Sequence, residues 1–256
     1  MFKHHLQANR FELKYVISDT CAIGVRNFLR SYLVSDEFNP PEGGGYQVNS
    51  VYLDSPDLEL CNATVEGHKN RYKLRIRFYD DAPTSPVFFE IKRRCNDAIL
   101  KERARVKRES CARLLAGHWP THADLVKFSP KSFDSLRTFC DLRNRLQARG
   151  QAIVTYEREA YVTQDSDSVR VTFDRQIRTV PFCGEFRASN RSDWAYPPIA
   201  GTVLELKFTE RFPVWMRNMV RVFNLQRGSM PKYVECVQVL GSEAPRDRHL
   251  TRGGAP

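Results

Sequence analysis

Arg71-Tyr72-Lys73-Leu74-Arg75-Ile76-Arg77-Phe78-Tyr79 alternates charge with hydrocarbon residue by residue. Side chains on a strand point in turn to opposite faces. One face of this stretch therefore carries Leu74, Ile76 and Phe78, and the other Lys73, Arg75 and Arg77. A lone strand of this kind reads most simply as a solvated face on an ordinary antiparallel sheet. The pattern recurs along the chain, however. Phe11–Tyr15 sets Glu12 and Lys14 against Phe11, Leu13 and Tyr15. Phe88–Lys92 puts Glu90 with Lys92, and Leu204–Phe208 puts Glu205 with Lys207. Val169–Asp174 aligns Arg170, Thr172 and Asp174, Gln151–Tyr161 aligns Tyr156 with Arg158, and Ile99–Val106 aligns Lys101, Arg103 and Arg105. An ordinary solvated face would carry Thr, Ser, Gln and mixed charges. These faces carry Arg and Lys in excess, with a few carboxylates among them.

The segments between strands read as helices. Ser18-Asp19 caps one running to Val34, and Ser55-Pro56-Asp57 opens another through Val65. Glu109–Ala116, Lys131–Arg149, Pro213–Leu225 and Ser229–Leu240 complete the set. Asn39–Gly45 and Asp81–Pro86 are turn-rich loops. Helices outside would cover the apolar strand faces, leaving the charged faces to meet inside. A closed barrel does this and removes the sheet's edges. Its lumen would be strongly cationic and suited to a polyanion, because Arg forks take phosphate oxygens in pairs and Lys adds compact charge.

Composition agrees. The chain has 256 residues, with 40 Lys and Arg against 30 Asp and Glu, a formal charge of +10 that calls for an anionic partner. At 41% hydrophobic it is neither disordered nor fibrous. No apolar run is long enough for a membrane span, and Met1-Phe2-Lys3-His4-His5 predicts no secretory signal. The cysteines at Cys21, Cys61, Cys95, Cys111, Cys140, Cys183 and Cys236 form no C-x-x-C pair, which gives a zinc site no support and suits reduced thiols in a cytosolic protein. Residues 1–240 are expected to form one domain, followed by a polar tail over 241–256.

Ordered along the chain, Arg10–Tyr15, Ser50–Asp54, Arg71–Tyr79, Phe89–Lys92, Tyr156–Arg158, Arg170–Asp174, Leu204–Lys207 and Lys232-Tyr233 resemble the catalytic domain of the vacuolar transporter chaperone (VTC) polyphosphate polymerases, among the triphosphate tunnel metalloenzymes. The resemblance spans residues 8–240. It implies an α+β fold: an eight-stranded antiparallel β-barrel tunnel with a cationic lumen and helices outside. It implies metal-dependent transfer of the ATP γ-phosphate to a growing polyphosphate chain, with Mn2+ or Mg2+ as cofactor. Matched motif by motif, Lys14, Arg75, Arg77, Lys92, Arg158, Arg170, Lys207 and Lys232 would bind phosphate, and Tyr156 would hydrogen-bond it. Arg75, Arg77, Lys92, Arg158 and Arg170 would serve catalysis, with Lys101 beside the attacking end of the acceptor chain and Glu205 holding the metal. The implied partners are ATP, triphosphate and polyphosphate, with a separate membrane protein to receive product. The implied place is the cytoplasm, at the inner face of that membrane. The stand-alone architecture suggests a bacterial type.

Two departures stand out. Hydrolytic relatives carry Glu-x-Glu-x-Lys on the first strand, whereas this chain reads Arg10-Phe11-Glu12-Leu13-Lys14, which favours the polymerase branch. The family's Ser before the C-terminal Lys is Pro231 here, with Arg227 or Ser229 to compensate. The alternatives are a triphosphate hydrolase or nucleotide cyclase of the same superfamily, and a non-catalytic polyphosphate or nucleotide sensor. Nucleic acid is the weakest candidate, since the basic residues map to strand faces rather than a recognition helix. Glu90 and Glu205 also read as plain partners of neighbouring cations, Lys101–Arg108 as a basic loop, and Trp194 as a packing residue or a contact for a base.

Overall fold

The computed structural model describes residues 10–96, 98–164, 168–209 and 211–243. Antiparallel strands run in the spatial order β1 (Arg10–Ile17), β9 (Thr202–Thr209), β8 (Val169–Pro181), β7 (Arg149–Val162), β3 (Tyr46–Asp54), β4 (Asn70–Phe78), β5 (Val87–Cys95) and β6 (Ala98–Val106). A two-residue strand, β2 (Val34–Ser35), pairs with β7 off this path.

The eight expected strands are present, but hydrogen bonding does not close the barrel. The edges β1 and β6 approach within 8 Å, Cα to Cα, with no paired register between them among the described residues. Both edges point charged side chains inward, which works against strand pairing. Side chains bridge the gap instead: Lys92 Nζ of β5 donates to both carboxylate oxygens of Glu12 on β1, at 3.1 and 2.9 Å.

The alternation is realised as expected. Leu74, Ile76 and Phe78 are fully buried on the outer face with Phe89, Ile91 and Val106, beneath Leu60 of α2 (Glu59–Val65), Leu114 of α3 (Cys111–Leu115) and Leu136 and Phe139 of α4 (Pro130–Arg145). On the other side of the barrel, Val25 and Leu29 of α1 (Asp19–Leu29) and Met216 and Met219 of α5 (Val214–Val222) cover Val171, Phe173, Leu204 and Leu206. Each such fully buried side chain contributes about 1.5–3 kcal/mol, which is where the fold's stability lies.

The last helix, α6 (Lys232–Glu243), departs from the expected arrangement. It packs on the inner face, where Tyr233, Val234 and Cys236 meet Val48, Tyr52, Val154, Tyr156 and Val203. Tyr233 stacks on Tyr52 with centroids 4.8 Å apart, and α6 plugs part of the barrel. Helix limits shift too. The first helix ends at Leu29 rather than Val34, because the chain turns there to form β2. The second starts at Glu59, since Asp54 at the end of β3 accepts from the N–H groups of Leu60 and Cys61 at 2.8 and 2.9 Å and acts as its cap. Trp194 packs against the outer core, with Arg178 4.7 Å above its ring, and not in the lumen. Of the tail expected from Gly241, residues 244–256 lie outside the described residues; α6 continues to Glu243.

Candidate functional site

The charged strand faces line a cavity of about 1300 Å³ that extends along β4 from Arg71 to Tyr79. All eleven residues singled out from sequence reach it: Lys14 from β1, Arg75 and Arg77 from β4, Lys92 from β5, Lys101 from β6, Tyr156 and Arg158 from β7, Arg170 from β8, Glu205 and Lys207 from β9, and Lys232 at the start of α6. The registers that bring them together follow from strand pairing. Arg75 lies opposite Glu90 and Lys92 opposite Lys101, while Lys14 faces Glu205 and Glu12 faces Lys207. Arg227 and Ser229, the expected substitutes for the missing serine, also line the wall beside Pro231.

Few carboxylates hold this wall together, and each is shared among cations. Glu90 is fully buried; Lys101 Nζ lies 2.6 Å from its Oε1 and Arg103 Nε 3.3 Å, while Arg75 Nε lies 2.7 Å from Oε2 and Arg77 Nε 3.9 Å. Glu205 Oε1 meets Lys232 at 2.9 Å and Lys14 at 3.4 Å, and its Oε2 meets Lys207 at 2.6 Å and Arg158 at 3.5 Å. Asp174 accepts both arms of Arg158 at 2.7 Å and pairs with Lys232 at 2.6 Å. Burial alone would raise these carboxyls. Against that push, Lys207, Lys232, Lys14 and Arg158 hold Glu205 well below its usual range, and Arg75, Arg77 and Lys101 do the same for Glu90. All are ionised at neutral pH.

The lysines divide by partner. Burial lowers Lys232, but Asp174 and Glu205 more than reverse this and raise it. Lys73, inward-facing and without an ion-pair partner among the described residues, is pushed down to about 7 by burial, then by Lys14 and Lys92. Lys101, which keeps 41% of its side chain open to solvent, falls to about 7 through desolvation and the nearby Arg75 and Arg77, despite Glu90. Lys207 falls to about 8, mainly by burial. Three ammonium groups that struggle to stay charged mark a site short of negative charge, and an anion with several oxygens would supply it.

The reading of Glu90 as a partner of neighbouring cations is realised, whereas sequence reasoning gave Asp174 no clamping role and did not single out Lys73, Tyr52 or the rings of Phe38, Tyr46, Tyr79 and Phe88, which also line the cavity. Alternation already put Glu90, Asp174 and Lys73 on the inward face. Tyr79 and Phe88 continue the inward faces of β4 and β5 by the same period of two but carry no charge to mark them, Tyr46 opens β3, whose faces do not alternate, and Phe38 lies in the 36–45 loop, where periodicity carries no signal.

A profile of the VTC domain matches residues 9–241. The chain belongs to the VTC domain family. Vacuolar transporter chaperone complex subunit 4 of Schizosaccharomyces pombe is 21% identical over 86% of this chain, and the match spans 35% of that longer protein. Among solved structures, a candidate adenylate cyclase of Bacillus halodurans superposes with a TM-score of 0.48 at 12% identity, covering 87% of this chain and 94% of its own. One of Vibrio parahaemolyticus gives 0.42 at 13% identity, covering 91% and 98%.

A divalent ion of the kind the family resemblance implies has two carboxylates to meet, Glu205 and Glu12, which Lys14 Nζ bridges at 3.4 and 3.2 Å. Among the described residues no group of three or more His, Cys, Asp or Glu is placed to hold a metal. The donor set does not fit a resident ion in a cage of protein ligands. It fits an ion that arrives with a polyphosphate and takes most of its ligands from phosphate oxygens and water, as Mg2+ commonly does.

Proposed function

We propose that this VTC-domain chain is a polyphosphate polymerase that moves the γ-phosphate of ATP onto an inorganic polyphosphate chain within the cationic cavity. The observation that carries this reading is the state of the carboxylates. Hydrolysis of a triphosphate needs a group to orient or deprotonate water, and a useful general base has a pKa near the working pH. Glu12, Glu90, Asp174 and Glu205 are all held below their ordinary values and tied to ammonium or guanidinium groups. They make poor bases. An acceptor phosphate is already ionised at neutral pH and needs none.

Phosphoryl transfer then depends on in-line positioning and neutralised charge. Arg75, Arg77 and Arg158 would take the transferring phosphate's oxygens, and Lys14, Lys92, Lys101, Arg170, Lys207 and Lys232, which line the same cavity, would bind the rest of the phosphate chain. Tyr156, whose hydroxyl lies 3.3 Å from an Arg77 nitrogen, would donate to a phosphate oxygen. Glu205 with Glu12 would hold a Mn2+ or Mg2+ ion brought in with the substrate, which would supply Lewis-acid neutralisation of phosphate charge. The relative from fission yeast is named as a subunit of a complex, and by analogy a membrane protein would receive this chain's product in the cytoplasm.

The test is incubation of purified protein with ATP and Mn2+, with and without a short polyphosphate primer, and a gel stained for polyphosphate. The expected result is a lengthening ladder, lost in Arg75→Ala. Release of phosphate or pyrophosphate without a ladder would assign a hydrolase or cyclase instead, and tight triphosphate binding without turnover a sensor.

A further inference from the structure

α1 and α5 lie side by side on the outside of the barrel, and their outer face is poorly suited to water. Along α5, Val214, Arg217, Asn218, Arg221 and Val222 are exposed, at the spacing of a single helix face. Val214 is 68% exposed and Val222 69%. Valine is a weak helix former, and at a solvated position Lys, Glu or Arg would serve the helix better. On α1, Ile23 is 56% exposed, and Asn27 and Arg30 are exposed with it.

The seam between the two helices is aromatic. Tyr32, just past α1, stacks on Trp215 with centroids 4.8 Å apart, and Phe28 meets Phe223 edge to face at 6.1 Å. Gly24 keeps the seam close, since a Cβ there would lie 2.7 Å from the Phe223 ring. Exposed hydrocarbon therefore runs from Val214 and the half-exposed Tyr32 ring at one end to Ile23 and Val222 at the other.

The charge on this face has one sign. α5 carries no carboxylate, and Arg217 and Arg221 have no ion-pair partner among the described residues. The one carboxylate within either helix, Asp19, opens α1 and accepts from Thr202 Oγ1 at 3.2 Å. A second copy of the chain docked here about a two-fold axis would set one arginine-bearing face against another.

We propose that the α1–α5 face binds the surface of an anionic lipid bilayer. Ile23, Val214, Val222 and the Tyr32–Trp215 stack would enter the boundary between headgroups and acyl chains, where amphipathic rings are favoured, while Arg217 and Arg221 reach the lipid phosphates. The contact is interfacial: α5 is nine residues long, and no helix among the described residues is long and apolar enough to cross a membrane. It needs no membrane-protein partner and does not rest on the polymerase reading. The two helices cover the outer side of β8 and β9, whose inner sides carry Arg170, Glu205 and Lys207, and none of the face's residues lines the cavity. Lipid and phosphate chain thus meet opposite sides of one wall, and each should bind without excluding the other.

The test is co-sedimentation of the full chain with vesicles of phosphatidylcholine, with and without an equal amount of phosphatidylglycerol, in saturating tripolyphosphate so that the cavity's cations are occupied. Wild type should sediment with the anionic vesicles alone. Arg217→Gln with Arg221→Gln should weaken this roughly 10- to 30-fold, and Val214→Ser with Val222→Ser about 10-fold. Lys131→Gln with Arg137→Gln, which removes two exposed charges from α4, should stay within about twofold of wild type. Unchanged affinity for tripolyphosphate in each variant reports that it folds. A wild type that binds neither vesicle, an α4 pair that weakens binding as much as the α5 arginines, or a valine pair that binds like wild type would each overturn the proposal; the first would point to a protein partner, and the others to adsorption by net charge alone.

Discussion

Replacing Glu205 by Gln keeps the shape of the side chain and removes its charge from among Lys14, Arg158, Lys207 and Lys232, the nearest at 2.6 Å. Breaking a buried ion pair by removing one partner typically costs about 3–5 kcal/mol. The remaining partners reduce that here. Asp174 keeps Arg158 and Lys232, and Glu12 keeps Lys14. Lys207 alone loses its ion-pair carboxylate among the described residues, and it can shed a proton because it is already pushed down to about 8. The low end, about 3 kcal/mol, is therefore the expected loss, or roughly 6–12 °C in Tm for a chain of this size. Because Glu205's folded pKa is depressed, its contribution is present above its unfolded value of 4.5 and is lost as pH falls below it, so the gap from wild type should narrow in acid. Tripolyphosphate should restore the variant's Tm by more than it raises the wild type's, since its oxygens occupy the vacated field. Metal-dependent turnover should fall about 100-fold or more, as for loss of one electrostatic stabiliser of the transition state. Thermal melts with and without tripolyphosphate, and turnover across a Mn2+ series, would check all of this. A variant melting with wild type and keeping its full Mn2+ response would refute both the clamp and the metal assignment.

Arg75→Ala leaves Glu90 paired with Lys101, Arg103 and Arg77, so its melt should stay within a few degrees of wild type while kcat/KM falls at least about 100-fold. Glu90→Ala should do the reverse damage, leaving four cations around a buried void and lowering Tm by about 10 °C or more, which a thermal melt would report. Triphosphate affinity should weaken as pH rises past 7 to 8, where Lys73, Lys101 and Lys207 lose their protons. Binding at pH 8 should accordingly take up protons, seen as a dependence of calorimetric heat on buffer ionisation enthalpy, and a buffer-independent heat would contradict it.

Legibility from sequence followed the environment of each strand. β4 could be read because its two faces meet different media, Leu74, Ile76 and Phe78 in hydrocarbon and Lys73, Arg75 and Arg77 in a polar cavity. β3 shows no such alternation: Val48, Asn49, Ser50, Val51 and Tyr52 are all buried, with α6 inside and the outer core behind, and only the family motif marked it. The strand-borne cavity residues were legible for the same reason as β4, since inward register needs only the period of two, whereas Lys232, on α6, was marked only by the family motif. What joins them was not. That Glu90 serves four cations depends on which strands lie side by side, a long-range fact. The inward seat of α6 was equally hidden, because an apolar helix packs as well inside a barrel as outside. Phe38 and Tyr46 flank a Pro- and Gly-rich loop, and only the folded chain brings them to Tyr79 and Phe88.

Following the label from ATP tests the central claim most directly. Purified protein, Mn2+ and a polyphosphate primer would be incubated with ATP labelled in the γ-phosphate and, in parallel, in the α-phosphate. The polymerase account predicts γ-label in the acid-insoluble chain, one ADP formed per phosphate incorporated, and no α-label in polymer. Label released as free phosphate, or α-label found in a cyclic nucleotide, would contradict it.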